Sequence, residues 1–284
     1  MNSKTSVDEI IAQARQQVAT RRTAELEQRW GGPWRWILPG LVLAVLAGFL
    51  AAPLPLPRKL LLAMGGVCGL RPAHSFFAGA VQLPIEARMI GIYGGFTVTF
   101  AVLAALGRLR ARRLGSAPTI ALLVMFFASM VVDGVNSTMT DLGLSHPYMS
   151  TNLTRLITGL LAGSALAPFL VWLFGVVSLA ATDAPRPVVR APWELLLPLA
   201  ANAGFAAMVL REDARFYYPI ALLSVGGVVL SMALVALLVV LGISGMDGRV
   251  TRVRQLMAPG ALSLLIAFAV LGVTAAIRWS LTGI

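Results

Sequence analysis

The 284 residues are 58% hydrophobic and only 12% charged, with a mean hydropathy of +0.82 and a formal net charge of +11. A soluble domain carries about a quarter of its residues as charge, so this chain is not one whose surface is mostly hydrated. The excess arginine lies between and beside apolar runs, which points to membrane topology rather than nucleic acid, and the single cysteine, Cys68, excludes an intrachain disulfide and a cysteine-built metal centre.

Several apolar runs reach the roughly 20 residues that a membrane crossing requires. Lipid offers the backbone no hydrogen-bonding partner, so a crossing segment is a helix or part of a closed barrel. Barrel strands are short and alternate in polarity. These runs are continuous, and the expected fold is an all-α, polytopic transmembrane helical bundle of about seven spans.

Residues 1–33 are polar and read as a cytoplasmic amphipathic helix. Ser6-Val7-Asp8-Glu9 has the form of a capping box, and Val7, Ile10, Ile11, Ala14 and Val18 share one helical stripe. The segment leads into the first span as a solvated helix, lies on an anionic membrane surface, or docks on a partner. No cleavable signal peptide is expected, because the first apolar run has the character of a retained anchor.

The spans are expected at 34–52, 89–106, 118–136, 156–181, 194–210, 218–243 and 258–281. Trp34, Trp36, Trp193 and Trp279 fall near span ends, where amphipathic rings favour the interface. The fifth span is short and contains Pro198 and Asn202. Residues 34–182 form a four-span domain, and 183–284 add three further spans. Within the first, residues 53–88 break the pattern. Pro53-Leu54-Pro55-Leu56-Pro57 cannot be helical throughout, and the apolar stretch 59–70 is too short to cross, so it is expected as a re-entrant or interfacial element on the outer side. There is no internal repeat of the kind that marks many transporters. With the N-terminus inside, fifteen of the 23 Lys and Arg fall in cytoplasmic segments, which sets the N-terminus cytoplasmic and the C-terminus outside.

Two stretches carry concentrated polar character. One runs Cys68-Gly-Leu-Arg-Pro-Ala-His-Ser-Phe-Phe77 and continues as Gln82-Leu-Pro-Ile-Glu-Ala-Arg-Met-Ile-Gly-Ile-Tyr-Gly-Gly95. The other is Asp133-Gly-Val-Asn-Ser137, followed by Thr151-Asn-Leu-Thr-Arg-Leu-Ile-Thr-Gly159. On these motifs the chain resembles the uncharacterised prokaryotic membrane proteins grouped as domain of unknown function 2085. Their pattern reads C-H-Q-x-P-x-R-S-F, then Q-L-P-x-C-A-R-C-x-G-I-Y-x-G. The resemblance covers residues 60–165 and implies a scaffold, not an activity. The family's first Cys falls on Cys68, its neighbouring His on Gly69, and its Cys-x-x-Cys pair on Glu86 and Met89. A closed zinc site needs four good ligands, so no metal and no cofactor are expected.

The polar residues retained are candidates for a site. Arg88, Asp133 and Arg155 are expected at the outer face, at the ends of spans two, three and four, as one Arg–Asp–Arg network; Asp141 is expected in the hydrated loop beyond. Tyr93, Asn136, Asn152 and Thr158 lie within a turn of the three. Such a network either holds the spans together or, because two arginines meet one acid, binds an anionic ligand or lipid headgroup. His74 and His146 are expected as solvated loop residues, with a weak metal or proton site only if they converge with Glu86. Cys68 is expected as a buried, inert thiol. No nucleotide-binding, zinc-protease or nucleophile-elbow pattern is present.

The leading functional expectation is a non-enzymatic accessory, assembly or scaffold subunit of a complex in the bacterial inner membrane, its partners the lipid bilayer and other membrane subunits. A small-solute or lipid transporter is the second reading, with Asn202 and Pro198 as its only hint. An enzyme acting on a lipid-linked substrate at the outer leaflet is the third.

Overall fold

The structure, a computed structural model, describes residues 9–11, 13–14, 17–18, 30, 32–180 and 185–282. The described residues between 9 and 18 are helical and exposed. Ser6 and Val7, on which the expected capping box depends, lie outside the described residues.

Eight helices follow. They are α1 (Trp34–Ala51), the short α2 (Leu56–Ala63), α3 (Ala87–Ala105), α4 (Ala117–Asp141), α5 (Asn152–Ser178), α6 (Leu196–Leu210), α7 (Tyr217–Ile243) and α8 (Met257–Thr282). All but α2 belong to the seven helical segments long and apolar enough to cross a membrane. The expected bundle of about seven spans is therefore present. Seven crossings in series put three loops, 106–116, 179–191 and 244–252, at one end and the segments 52–86, 142–151 and 211–213 at the other.

Local chemistry sets the boundaries. Prolines open α2, α4 and the turn before α6, where a missing N–H costs no intrahelical bond. At the start of α5 the Thr151 hydroxyl accepts from the Thr154 backbone N–H while the Thr154 hydroxyl accepts from the Thr151 N–H. The ends of α3 and α4 close on Gly107 and Gly143, both at φ +68°. After α3 the N–H of Gly107 donates to Ala104 O (2.9 Å) and that of Arg108 to Leu103 O (2.9 Å). This pairing satisfies orphan carbonyls and needs a left-handed residue. Helix α4 is longer than expected, running to Asp141 rather than 136. Asp133 thus lies roughly two turns inside the helix, and not at its end.

The centre of the fold is the crossing of α3 and α5. A Cβ placed on Gly159 would lie 2.5 Å from the Arg88 carbonyl oxygen, and one on Gly95 would lie 3.1 Å from Leu160 Cα. Gly91 and Gly163 meet the Leu156 and Ile92 carbonyl oxygens still more closely. Gly91 and Gly95 face Gly159 and Gly163, a small-x-x-x-small stripe on each helix. With little hydrophobic force between helices in lipid, close backbone packing supplies the attraction. In α3 the stripe coincides with a π-helical turn over Ile90–Gly94. Helix α7 joins at Gly227, against the Tyr93 carbonyl, and α6 at Phe205, against Gly94. The C-terminal spans thus share one core with α3 and α5, built on Ile90, Leu156, Phe205, Ile220 and Val228.

At mid-height Asn202 of α6 donates from Nδ2 to Thr99 Oγ1 of α3 and Ser164 Oγ of α5, both at 2.9 Å. All three residues are buried. Asn202 is an interhelical tie between these three helices, and Pro198 is buried on the same helix.

Residues 53–86 fold as an irregular cap: α2, two 3-10 turns (Met64–Gly66 and Pro72–His74) and a two-residue hairpin pairing Phe77–Ala78 with Val81–Gln82. The end of α8 holds this cap. Arg278 donates to the carbonyls of Gly65 (3.0 Å), Cys68 and Gly69 (2.6 Å), and Trp279 Nε1 donates to Leu62 O (2.9 Å). Lys59 is buried, its ammonium donating to Leu50 O at 2.6 Å.

The crossing can be tested with one substitution at two places. Gly163→Ala should lower the stability of the detergent-solubilised protein by about 1–3 kcal/mol or prevent folding, since the methyl group has only backbone to displace. Gly226→Ala, with nothing within 4 Å, should melt like the parent. Equal melting temperatures would show that the α3–α5 contact does not organise the bundle.

Candidate functional site

A layer of polar side chains lies between α3, α4, α5 and the cap, in two linked halves. The first surrounds Asp133, which is 0% exposed. Arg88 of α3 donates from Nη2 to Asp133 Oδ2 (2.7 Å) and to the Asp133 carbonyl (3.2 Å). The Tyr148 hydroxyl donates to Oδ1 at 3.0 Å, and Thr158 Oγ1 of α5 lies 3.3 Å from Oδ2. Gly134 leaves space for the guanidinium, since a Cβ there would lie 3.7 Å from Arg88 Nη1. Asn136, one turn on, grips the main chain of Tyr148: its Nδ2 donates to Tyr148 O (2.8 Å) and its Oδ1 accepts from Tyr148 N (3.4 Å). The loop after α4 is thereby folded back over the ion pair. Burial, and the carboxylate to which it donates, raise the Tyr148 phenol above its ordinary pKa, so it remains a donor at neutral pH.

The second half surrounds Asp141, the last residue of α4. Arg71 of the cap donates from Nη1 to Asp141 Oδ2 (2.9 Å), His74 Nε2 lies 3.4 Å from Oδ1, and Arg155 Nη2 lies 3.9 Å from Oδ1. Arg71 also turns towards Glu86, which accepts from its backbone N–H (2.9 Å) and its Nε (3.4 Å). Arg155, buried in the first turn of α5, donates to Ser137 Oγ from Nε (3.1 Å) and Nη2 (2.9 Å) and to Asn152 Oδ1 from Nη1 (3.1 Å). Asn152 Nδ2 in turn donates to the carbonyls of Ala73 (3.2 Å) and Ser75 (3.3 Å). The cap is pinned to α4 through Asp141 and to α5 through Asn152.

The structure brings together all six candidate residues, Arg88, Asp133, Asn136, Asn152, Arg155 and Thr158, but connects them differently from the expectation. Arg155 does not pair with Asp133. It sits one turn nearer the helix end, where Ser137 and Asn152 take its donors. Asp141 is not a free loop residue but the focus of two arginines and a histidine. Two arginines facing one acid become three arginines, Arg71, Arg88 and Arg155, facing three carboxylates, Glu86, Asp133 and Asp141. Tyr93 does not join the layer; its ring packs in the core. Ser137, Asp141, Arg71 and Tyr148 were not anticipated. Positions 133, 137 and 141 form a single i, i+4, i+8 stripe, a signal hidden by ending the span at 136. Nothing in the sequence announces Tyr148, whose place depends on the fold-back of its loop.

Positions 68, 69, 86 and 89, where the family pattern has Cys, His, Cys and Cys, do adjoin. Glu86 Oε1 lies 2.8 Å from where a Cβ of Gly69 would be, and Cys68 and Met89 pack against one apolar cluster. Burial pushes the Cys68 thiol above its ordinary pKa, against the partly offsetting backbone N–H groups of Glu86 and Leu70. A raised thiol pKa means little thiolate, the reactive and metal-binding form. Leu70, between them, adopts φ +53°, a costly conformation for a bulky residue, and its carbonyl accepts from Gln82 Nε2 (3.1 Å). Among the described residues no three His, Cys, Asp or Glu side chains form a group able to hold a metal. His146 is half-buried in its loop, its Nε2 3.0 Å from Met149 Sδ.

Removing the acid from the first half would leave the half-buried Arg88 without its partner, and deleting one partner of a fully buried pair typically costs about 3–5 kcal/mol. Asp133→Ala should therefore lower the melting temperature in a given detergent far more than Asp247→Ala, whose side chain is exposed. Asp133→Asn should fall between them, and so should Asp141→Ala, which removes a partly hydrated partner. If Asp133→Ala and Asp247→Ala melt alike, the pair does not hold the helices.

Burial, followed by the nearby charges of Arg155 and Arg71, lowers the His74 pKa below its ordinary 6.5. The unfolded chain then takes up this proton at a higher pH than the folded protein does. The native state is favoured above about pH 6.5 and loses that advantage as the pH falls from there towards the folded pKa. Melting temperatures between neutral pH and pH 5 should fall less for His74→Gln than for the parent. Parallel curves would remove His74 from the acid response.

Residues 68–169 match the model of a family described as "Predicted membrane protein (DUF2085)". No curated protein and no solved structure matches the chain. The matched segment begins at Cys68 and encloses α3, α4, most of α5, both motif stretches and every charged residue of the polar layer but none of α6 to α8. Residues 68–169 thus carry the DUF2085 family pattern, and the polar layer is assembled from that segment.

Proposed function

We propose that this chain is a non-enzymatic integral membrane protein of the bacterial inner membrane, acting as an accessory, assembly or scaffold subunit beside other membrane proteins. The observation that carries this reading is the charge balance of the polar layer. Its three arginines face three carboxylates, and their hydrogen bonds run to one another or to Ser137, Asn152 and Tyr148. A layer so balanced clamps helices; an anion-binding site would leave net positive charge facing a ligand. In this reading Arg88, Asp133, Asn136, Asn152, Arg155 and Thr158 position α3, α4 and α5 rather than bind a substrate. Transport draws no support from Asn202, whose amide ties three helices at mid-height instead of lining a route.

The reading also sets the N-terminal side in the cytoplasm. The end holding loops 106–116, 179–191 and 244–252 carries Arg108, Arg110, Arg112, Arg113, Arg186, Arg190, Arg249 and Arg252, whereas loop 142–151 at the opposite end has no Lys or Arg.

Purification from the native membrane in a mild detergent should yield the chain with a discrete partner at fixed stoichiometry. Recovery of the chain alone, after covalent cross-linking in the intact membrane, would refute the subunit role. A reporter active only in the cytoplasm should work when fused after Arg113 and fail after Ser145; the reverse would invert the topology.

A further inference from the structure

The three loops at the arginine-rich end are not loose connections. The N–H groups of Arg112 and Arg113 donate to Arg186 O (3.0 and 3.2 Å), and Val188 and Val189 donate back to Arg113 O and Leu114 O (2.8 and 3.2 Å). The third loop joins through Val250 N to Ser178 O (2.9 Å), Ala180 N to Val250 O (3.2 Å) and Gly248 N to Val177 O (2.7 Å). Ala111, Val188, Val189, Met246 and Val250 are buried beneath. The described residues of three loops far apart in sequence therefore make one folded plate.

Its outer side is cationic. Arg110, Arg113, Arg186, Arg190, Arg249 and Arg252 are exposed, and none makes an ion pair among the described residues. Among the described residues, the ion pair at this end joins Arg108 to Glu194 at 3.1 Å. At the opposite end only part of the arginine is free: Arg58 and Arg211 are exposed and make no ion pair among the described residues. There Arg71, Arg88, Arg215 and Arg278 are engaged by carboxylates or carbonyls of the same chain. A sorting signal for topology requires arginines but no folded plate.

The depth of the plate identifies what it faces. Trp193 opens α6 68% exposed, and Trp34 and Trp36 open α1 51% and 65% exposed; exposed indoles settle at headgroup level. Arg190 precedes Trp193 by less than one turn, and the Arg35 guanidinium stacks 5.4 Å over Trp36. Arg254 lies in the turn that opens α8. These guanidiniums stand where lipid phosphates stand, within a screening length of the surface. Guanidinium is also the side chain best shaped for phosphate.

We propose that this plate is a binding surface for anionic phospholipid headgroups, engaging several at once and stabilising the bundle against the adjoining leaflet. The full chain would be reconstituted in nanodiscs of phosphatidylcholine alone and of phosphatidylcholine with about one-third phosphatidylglycerol. The anionic discs should raise the melting temperature by roughly 5 °C or more, a gain that falls as salt shortens the screening length. The variant Arg186→Gln/Arg190→Gln/Arg249→Gln/Arg252→Gln should lose most of the gain, whereas Arg58→Gln/Arg211→Gln, at the other end, should keep it. Should the quadruple variant fail to insert, the parent decides by itself: a salt-sensitive gain in anionic discs supports the proposal. Equal melting in both discs, or a gain insensitive to salt, overturns it. A gain reproduced in phosphatidylcholine discs by a soluble acidic polypeptide also overturns it, in favour of an acidic protein partner.

Discussion

The rest of the structure depends on the contact between the backbones of α3 and α5. In a bilayer the helices gain little by hiding apolar surface from one another, so association rests on close packing and on polar ties. Four glycines remove the side chains that would hold these two helices apart. Once they touch, residues on either side of the crossing have fixed positions: Arg88 just before the stripe on α3, and Arg155 and Thr158 just before the stripe on α5. The π-helical turn at Ile90–Gly94 falls at the same place, where the ladder of α3 adjusts to its neighbours. Helices α6 and α7 then approach the same stretch of α3 through Phe205 and Gly227.

The polar layer follows from that geometry. A charge without water is stable only when paired and hydrogen-bonded. Asp133 meets the requirement with an arginine from α3 and a phenol from the loop that follows its own helix, with the Thr158 hydroxyl of α5 beside it. Asp141 meets it at the edge, where water shares the load and Arg71, His74 and Arg155 approach at 2.9 to 3.9 Å. The two acids differ in kind, although they are two turns apart on one helix face. The inner one joins helices to each other; the outer one joins helices to the cap.

Much of the architecture was legible because lipid simplifies the code. Length and apolarity located all seven crossings, and the proline run at 53–57 separated the cap from the spans. The six candidate residues were read from the polar motif stretches, whose Arg, Asp and Asn stand out against Leu, Val and Ala because such groups are costly at membrane depth. Their pairing was not legible. It turned on where α4 ends, and Val135-Asn136-Ser137-Thr138 is polar enough to resemble a boundary. The helix continues because its hydroxyls bond within it, Thr138 to Gly134 O (3.0 Å) and Thr140 to Asn136 O (2.9 Å). Five more residues of helix move Asp141 from open loop to the cap. Tyr148 was invisible for another reason: an aromatic residue in a short loop has no periodicity by which its direction can be inferred.

The hold of α8 on the cap has a consequence for the order in which the protein matures. Cys68 and Arg278 are 210 residues apart in sequence, so the carbonyls of Gly65, Cys68 and Gly69 are synthesised long before the guanidinium that satisfies them. During translation the cap can rest on α3, α4 and α5 through Asp141 and Asn152, but its other flank stays open until α8 has entered the membrane and Arg278 and Trp279 arrive. The seal on the cap therefore records that α8 has inserted. A nascent chain stalled before α8 would leave that flank open, with its carbonyls unsatisfied.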